Sequence, residues 1–119
     1  MALFRFRTRD PDRDRDTDSD RLQRLQQSLA DIRAEVERER NGLRDRYEQV
    51  MANAAFSQQL VEDDRAGVGM SSKVADMTGT LIGYTQRLAL LQQQLDFVTE
   101  MDLRVDAFSR ELTGDPAVA

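Results

Sequence analysis

The chain has 119 residues, of which 33% are charged and 39% hydrophobic, and its formal net charge is −5. It contains no cysteine, histidine or tryptophan, which excludes disulfides, zinc and iron–sulfur sites built on those ligands, and histidine-based acid–base catalysis. An acidic chain also lacks the basic surface that nucleic-acid binding normally requires. The composition suits amphipathic helices better than a compact α/β enzyme.

Residues 1–18 are predicted to form a flexible tail that is first basic and then alternates aspartate with arginine. In "MALFRFRTR", Phe4 and Phe6 would lie on one side of an extended chain, with Arg5 and Arg7 on the other. Such a segment could dock on a sheet edge, an acidic partner or an anionic surface, and a disordered terminus is the alternative. The segment lacks the apolar core of a secretory signal, and no stretch is apolar enough to span a membrane, so a cytoplasmic location is expected. Lys73 is the sole lysine among many arginines, which favours a GC-rich genome, bacterial or archaeal.

The stretch "DPDRDRDTDSD", residues 10–20, places an aspartate at every second position. A calcium loop starting at Asp14 would need glycine at its sixth position and glutamate at its twelfth, where Ser19 and Leu25 stand. We therefore predict no metal site here. The stretch is instead predicted to be solvated and extended, with aspartates that complement the dipole of the following helix and one that caps it.

The first helix is predicted over residues 19–64, with apolar side chains in the heptad spacing of a coiled coil. Leu25 and Ile32 are assigned to the second heptad position. The first position is occupied without a break by Leu22, Leu29, Val36, Leu43 and Val50. Asn41-Gly42 is a turn dipeptide and leaves a break into two helices open. Because the heptad phase continues across Gly42, a single continuous helix is favoured.

A glycine- and serine-containing loop, residues 65–71, is predicted to precede a second helix over residues 72–113. Ser71 or Ser72 would be the N-cap, and Gly114 and Pro116 would end the helix before a short tail, residues 114–119. Its apolar seam consists of Val74, Met77, Leu81, Tyr84, Leu88, Leu91, Leu95, Val98, Val105 and Leu112. The expected fold is all-α, a long antiparallel helical hairpin forming a two-helix coiled coil.

A mismatch between the two predicted helices indicates a partner. A hairpin that turns near Val68 sets Ile32 opposite Val105, but it also sets the charged seam positions Glu39 and Arg46 opposite the most apolar part of the second helix. One neighbour cannot cover both the seam and the further stripe of Leu90 and Phe97. Dimerisation or a partner helix is therefore expected to complete a four-helix bundle. The predicted self-association face comprises Leu81, Tyr84, Leu88, Leu90, Leu91, Leu95, Phe97 and Val98.

Ala75, Gly79 and Gly83 form a row of small residues, which indicates either close approach of another helix or a flexible helix start. No catalytic, cofactor-binding or metal-binding residues and no cofactor are predicted. The leading interpretation is a non-enzymatic scaffold or adaptor that self-associates, with a homodimer or another helical protein as partner. The alternatives are a secretion or flagellar-export type chaperone that binds helical client segments, and a dimeric regulator whose basic tail touches nucleic acid or membrane. Nucleic acid is not expected as a partner.

Overall fold

The computed structural model describes residues 10–63, 67 and 69–114. They form two α-helices, α1 at Pro11–Glu62 and α2 at Met70–Thr113. The fold is the predicted all-α antiparallel helical hairpin. The chain divides into two compact units: the first is Met1–Ala34 with Asp96–Ala119, and the second is Glu35–Leu95. Both helices contribute to each unit.

The first helix begins at Pro11, so the prediction of an extended tail up to residue 18 is wrong. Asp10 caps the helix: its Oδ1 accepts a hydrogen bond of 3.0 Å from the backbone N–H of Asp12. Proline fits the first helical position, where its missing N–H has no intrahelical partner. Alternation of Asp and Arg supports the helix because it places opposite charges three or four residues apart, as in Arg15–Asp12 and Arg24–Asp20.

The helical start also bears on the calcium-loop interpretation. Aspartates two residues apart on an α-helix point roughly 200° away from each other, so they cannot converge on one ion. In the part of the chain that the structure describes, no group of three acidic side chains could hold a metal ion.

The helix α1 runs through Asn41-Gly42 without interruption, which confirms the favoured single helix. Helix α2 starts at Met70, and its cap, Gly69, lies two or three residues before the predicted caps. The backbone carbonyl of Gly69, at φ 88°, accepts the first helical bond from Lys73 N–H at 3.0 Å. Ser71 and Ser72 therefore lie inside the first turn, and their prediction as N-caps is wrong. At the other end, Gly114 adopts the predicted left-handed conformation with φ 70°.

The side of α1 that faces α2 follows one predicted row and one unpredicted row. The predicted row is buried or partly buried throughout: Leu22, Leu29, Val36, Leu43 and Val50. Leu25 and Ile32 are each 46% exposed, so their assignment to the seam is wrong. The second row lies one residue later, at the partly buried Gln26, Arg33, Arg40, Tyr47, Ala54 and Val61.

The two helices are offset by about one helical turn from the predicted register. In the first unit, Arg33 Nη2 donates to Thr99 Oγ1 at 3.0 Å. The predicted pairing of Ile32 with Val105 would have placed Arg33 near residue 104. The cause lies in the connection, since α1 ends at Glu62 and α2 starts at Met70, so the middle of the link precedes Val68.

The second unit contains the hydrophobic cluster of the hairpin. Val36 and Leu43 of α1 pack with Leu91 and Leu95 of α2, and Leu91 is fully buried. Tyr84 and Leu88 pack against this cluster and are partly buried. Among the described residues of the first unit, Val98 is the one apolar side chain that is buried, with 5% of its surface exposed. The seam of α2 is otherwise as predicted, apart from Leu112, which is 41% exposed.

Candidate association surfaces

The predicted self-association face divides into three groups according to exposure. Leu91, Leu95 and Val98 are buried by the chain itself, so they are unavailable to a partner while the hairpin is intact. The partly buried seam residues are Leu81, Tyr84 and Leu88. Leu90 and Phe97 are 50% and 59% exposed. The correction follows from the phase of α1: with Tyr47, Ala54 and Val61 in the seam, α1 covers the apolar side of α2 that was predicted to lack a cover.

Glu39 does not oppose the leucines of α2 in the seam. It receives two hydrogen bonds from Arg87, Nε to Oε2 at 2.7 Å and Nη2 to Oε1 at 3.1 Å. Arg87, first through these hydrogen bonds and then through its charge, holds the pKa of the Glu39 carboxyl below its ordinary value, and Glu39 in turn raises the pKa of Arg87. The pair lies at the edge of the helix–helix contact, and both side chains remain more than 40% exposed. Arg46 is also exposed rather than buried.

One side of α2 in the second unit points away from α1 and remains uncovered. It is formed by Gly79, Ile82, Gly83, Gln86, Ala89 and Leu90, all of them exposed, and we call it the outward face. Ile82 is 54% exposed and was missed by the sequence prediction. Its position between the two glycines, and eight residues before Leu90, was the available signal.

The outward face has no charge of its own. From Met77 to Leu95 the one charged residue is Arg87, which is bound to Glu39. Thr78, Thr80 and Thr85 also lie on this part of α2, and each hydroxyl donates to a carbonyl four residues earlier, at 2.9–3.1 Å. Their hydrogen-bonding capacity is therefore directed into their own helix.

The predicted small-residue row lies on the same side of α2, with Ala75, Gly79 and Gly83 all exposed. A Cβ added at Gly79 or Gly83 would meet nothing within 4 Å, and neither glycine has a positive φ. The hairpin itself therefore does not require glycine at either position.

A second apolar area lies in the first unit. Leu25 and Ile32 of α1 are exposed, as are Phe108 and Leu112 of α2. A shallow depression of about 260 Å³ is lined by Asp18, Arg21, Leu22, Phe108 and Leu112. Asp18 and Arg21 form an ion pair at 3.6 Å along its edge, so this area is less uniformly apolar than the outward face. The predicted docking residues of the tail, Phe4, Arg5, Phe6 and Arg7, lie outside the described residues.

Neither helix is long and apolar enough to cross a bilayer, as far as the described residues go. Comparison of the chain with family models, with curated proteins and with solved structures finds no match.

Proposed function

We propose that this chain is a non-enzymatic structural or adaptor protein, a coiled-coil hairpin that self-associates and mediates protein–protein assembly. The observation that carries the proposal is the distribution of apolar side chains. Among the described residues, five apolar side chains are buried, whereas ten large ones are exposed. Exposed apolar side chains grouped on a helix face are typical of interaction surfaces. Completion to a four-helix bundle, by a second copy or a partner helix, is part of the same proposal.

The pairing of arginines with nearby aspartates and glutamates supports a structural rather than a catalytic role. Arg15, Arg21, Arg24, Arg104 and Arg110 each pair with an aspartate or glutamate three or four residues away on the same helix. Arg87 pairs with Glu39 across the two helices. These pairs stabilise helices and their register. We propose no cofactor. A cytoplasmic location, and a bacterial origin inferred from the excess of arginine over lysine, are proposals of the same kind.

The experiment is a molar-mass measurement by light scattering on the wild type and on a Leu90→Glu/Phe97→Glu variant. Both residues are exposed, so the variant should keep its helix content by circular dichroism. We expect a wild-type dimer or larger species that becomes monomeric in the variant, because charges on a packed apolar face must be desolvated. Gln23→Glu/Gln58→Glu adds the same charge at exposed positions of α1 and should leave the mass unchanged.

A wild-type monomer at all accessible concentrations would contradict self-association. The exposed apolar residues would then favour the export-type chaperone, which must present such a surface to its clients as an isolated protein. The regulator hypothesis depends on Arg5, Arg7 and Arg9, which lie outside the described residues. It predicts binding to nucleic acid or anionic vesicles that weakens with salt and disappears when residues 1–9 are deleted.

A further inference from the structure

We propose that the N-terminal segment, residues 3–9, folds back from the start of α1 and docks on its own chain, with Phe4 and Phe6 in the depression of the first unit. The segment lies outside the described residues, whereas the surface that it would occupy is described. The docking is intramolecular, so it does not depend on the self-association proposed above. Three properties of the segment favour it: its reach, its charge and the order of its residues.

The depression of the first unit is lined by apolar side chains of both helices, Leu22 of α1 and Phe108 and Leu112 of α2. Leu25 lies one turn further along α1, and the observed register of the helices places it level with Phe108. Leu25, Phe108 and Leu112 are 46%, 51% and 41% exposed. An apolar segment laid along this surface would therefore bury side chains of both helices as well as its own.

The start of α1 directs the preceding segment away from the helix axis. Asp10 caps the helix, and a residue in that position has an extended rather than a helical backbone. Pro11 has the same effect, because the residue before a proline is restricted to extended conformations. The segment therefore does not prolong α1, and it is free to run back beside the first turns of the helix towards the depression.

The distances allow both phenylalanines to reach the depression. At about 1.5 Å per residue along α1, Asp18 is about 12 Å and Leu25 about 22 Å from Asp10. An extended chain advances about 3.3 Å per residue, so Phe6 reaches up to about 13 Å and Phe4 up to about 20 Å from Asp10. Alternate side chains of an extended chain share one side. Both rings can therefore face the depression while the arginines beside them stay in solvent.

Charge favours the first unit over the second as the docking site. The segment carries three arginines and no acidic residue, a charge of +3. The described residues of the first unit, 10–34 and 96–114, contain 12 acidic and 7 basic side chains, a net charge of −5. Those of the second unit, 35–63, 67 and 69–95, contain 8 acidic and 6 basic side chains, a net charge of −2. The basic segment is therefore attracted most strongly to the unit from which it starts.

The order of residues along the segment matches the order along α1. Asp14 and Asp18 lie one turn apart on the side of α1 that leads to the depression, and Leu22 and Leu25 follow them on that side. Read backwards from Asp10, the segment presents two arginines before it presents either phenylalanine. Its basic part would thus lie beside aspartates and its aromatic part beside leucines.

Paramagnetic relaxation tests the docking on the full chain, which has no cysteine of its own. A nitroxide attached to Ala2→Cys marks the end of the segment and leaves its phenylalanines and arginines unchanged. We expect the amide signals of residues 18–25 and 105–112 to lose intensity, and those of residues 43–57 and 77–88 to keep theirs. In spectra of wild-type sequence otherwise, this loss should decrease with added salt, because exposed charges are screened.

Matched variants separate docking from simple proximity. Phe4→Ser/Phe6→Ser removes the rings and should confine the loss of signal to residues next to Pro11, whereas Phe4→Leu/Phe6→Leu keeps apolar side chains and should retain the wider loss. On the surface itself, Phe108→Ser should release the segment. Leu103→Ser should not, because Leu103 is 65% exposed and lies about 140° around α2 from Phe108.

Trypsin gives an independent readout because the segment contains its cleavage sites. Cleavage after Arg5 and Arg7 should be at least about fivefold slower in the wild type than in Phe4→Ser/Phe6→Ser, since the protease cuts the open form. Equal cleavage rates, or a loss of amide signal no wider in the wild type than in this variant, would overturn the docking.

Two further outcomes separate this inference from the proposed function. Loss of signal in an isotope-labelled chain caused by the nitroxide on an unlabelled chain would overturn docking on the same chain and show that the segment reaches a second copy. A monomer by light scattering that still shows the intramolecular loss of signal would contradict self-association and leave the docking standing.

Discussion

The two units of the hairpin place different kinds of residue at the same heptad positions of α1. In the second unit, α1 presents Arg40, Tyr47, Ala54 and Val61 in its second seam row, beside the cluster around Leu91. In the first unit, the equivalent row presents Gln26 and Arg33, while Leu25 and Ile32 stand exposed one residue earlier. An uninterrupted helix has one phase. The phase found here is the one that favours residues 35–62, where the alternative would have turned Glu39 and Arg46 into the seam.

This difference teaches that an apolar side chain at a heptad position does not by itself decide which way a long helix faces. The gain from burying Leu25 and Ile32 would be about 1.5–3 kcal/mol each if burial were complete. Against it stands the lost burial of Tyr47, Ala54 and Val61. The alternative phase would also place two charged residues of the second unit in the seam, Glu39 and Arg46, where the observed phase places one, Arg40. The outcome leaves the first unit with a weaker seam and with exposed apolar side chains.

The largest effect should come from the cluster of the second unit. Leu91→Ala removes a fully buried side chain, and we expect it to lower the free energy of unfolding by about 2–5 kcal/mol, the range for buried Leu→Ala changes. The measurement is urea denaturation at one fixed protein concentration, because self-association would add to apparent stability. Leu103→Ala is the matched control on α2: Leu103 is 65% exposed, so a small change is expected. Equal losses of unfolding free energy in the two variants would contradict the burial of Leu91 and the exposure of Leu103.

A smaller effect, of opposite sign, should follow from repairing the seam of the first unit. Arg33→Leu gives up a single hydrogen bond to Thr99 and gains apolar burial at a seam position. We expect a net stabilisation of about 1 kcal/mol, since partial burial of leucine outweighs a partly exposed hydrogen bond. Arg24→Leu is the control, because Arg24 is exposed on the same helix and pairs with Asp20 at the surface. A destabilised Arg33→Leu variant would mean that Arg33 stabilises the first unit more than an apolar side chain can.

Much of the fold could be predicted because periodicity and turn chemistry carry it. The seam of α2 follows from apolar residues spaced alternately three and four positions apart, without a break from Val74 to Val98, and Gly114 marks the end of the helix. Only the first row of α1 could be recognised in the same way. Leu25 and Ile32 are apolar and fit a heptad seam, whereas Gln26 and Arg33 are polar and do not. The local pattern therefore selects the row of Leu25 and Ile32, which is the wrong one. The correct choice depends on residues 35–62, most of which lie several turns away from Leu25 and Ile32.

The start of α1 and the exposed surfaces were harder to predict for different reasons. Alternating aspartate and arginine resembles a solvated charge run, whereas ion pairs such as Arg15–Asp12 and the cap at Asp10 make it a helix. Leu91, Leu95 and Val98 could not be told from Leu90 and Phe97 as partner-facing residues until the phase of α1 was known. The row of Ala75, Gly79 and Gly83 was recognised from sequence, but that its glycines are free of contact within the hairpin required the structure.

The smallest effect concerns the ion pair that joins the helices in the second unit. The pKa of Glu39 is lowered from its ordinary value of 4.5 by Arg87, so the ionised carboxylate stabilises the folded state. That stabilisation is fully present above pH 4.5 and is lost as the pH falls through the lower, folded-state pKa. Glu39→Gln should therefore be slightly less stable than the wild type at neutral pH and equally stable in acid. Because both side chains are exposed, the difference should also shrink with added salt.

A double-mutant cycle attributes this pH dependence to the pair. In an Arg87→Gln background, the effect of Glu39→Gln on the free energy of unfolding should depend much less on pH, because the residue that lowers the pKa of Glu39 most has been removed. If the pH dependence survives in that background, Glu39 interacts with another cation instead. Arg46 would be the one to test next, because its charge also lowers the pKa of Glu39. The ion pair would then contribute little to holding α1 in the phase that exposes Leu25 and Ile32, and burial of Tyr47, Ala54 and Val61 would have to account for that phase without it.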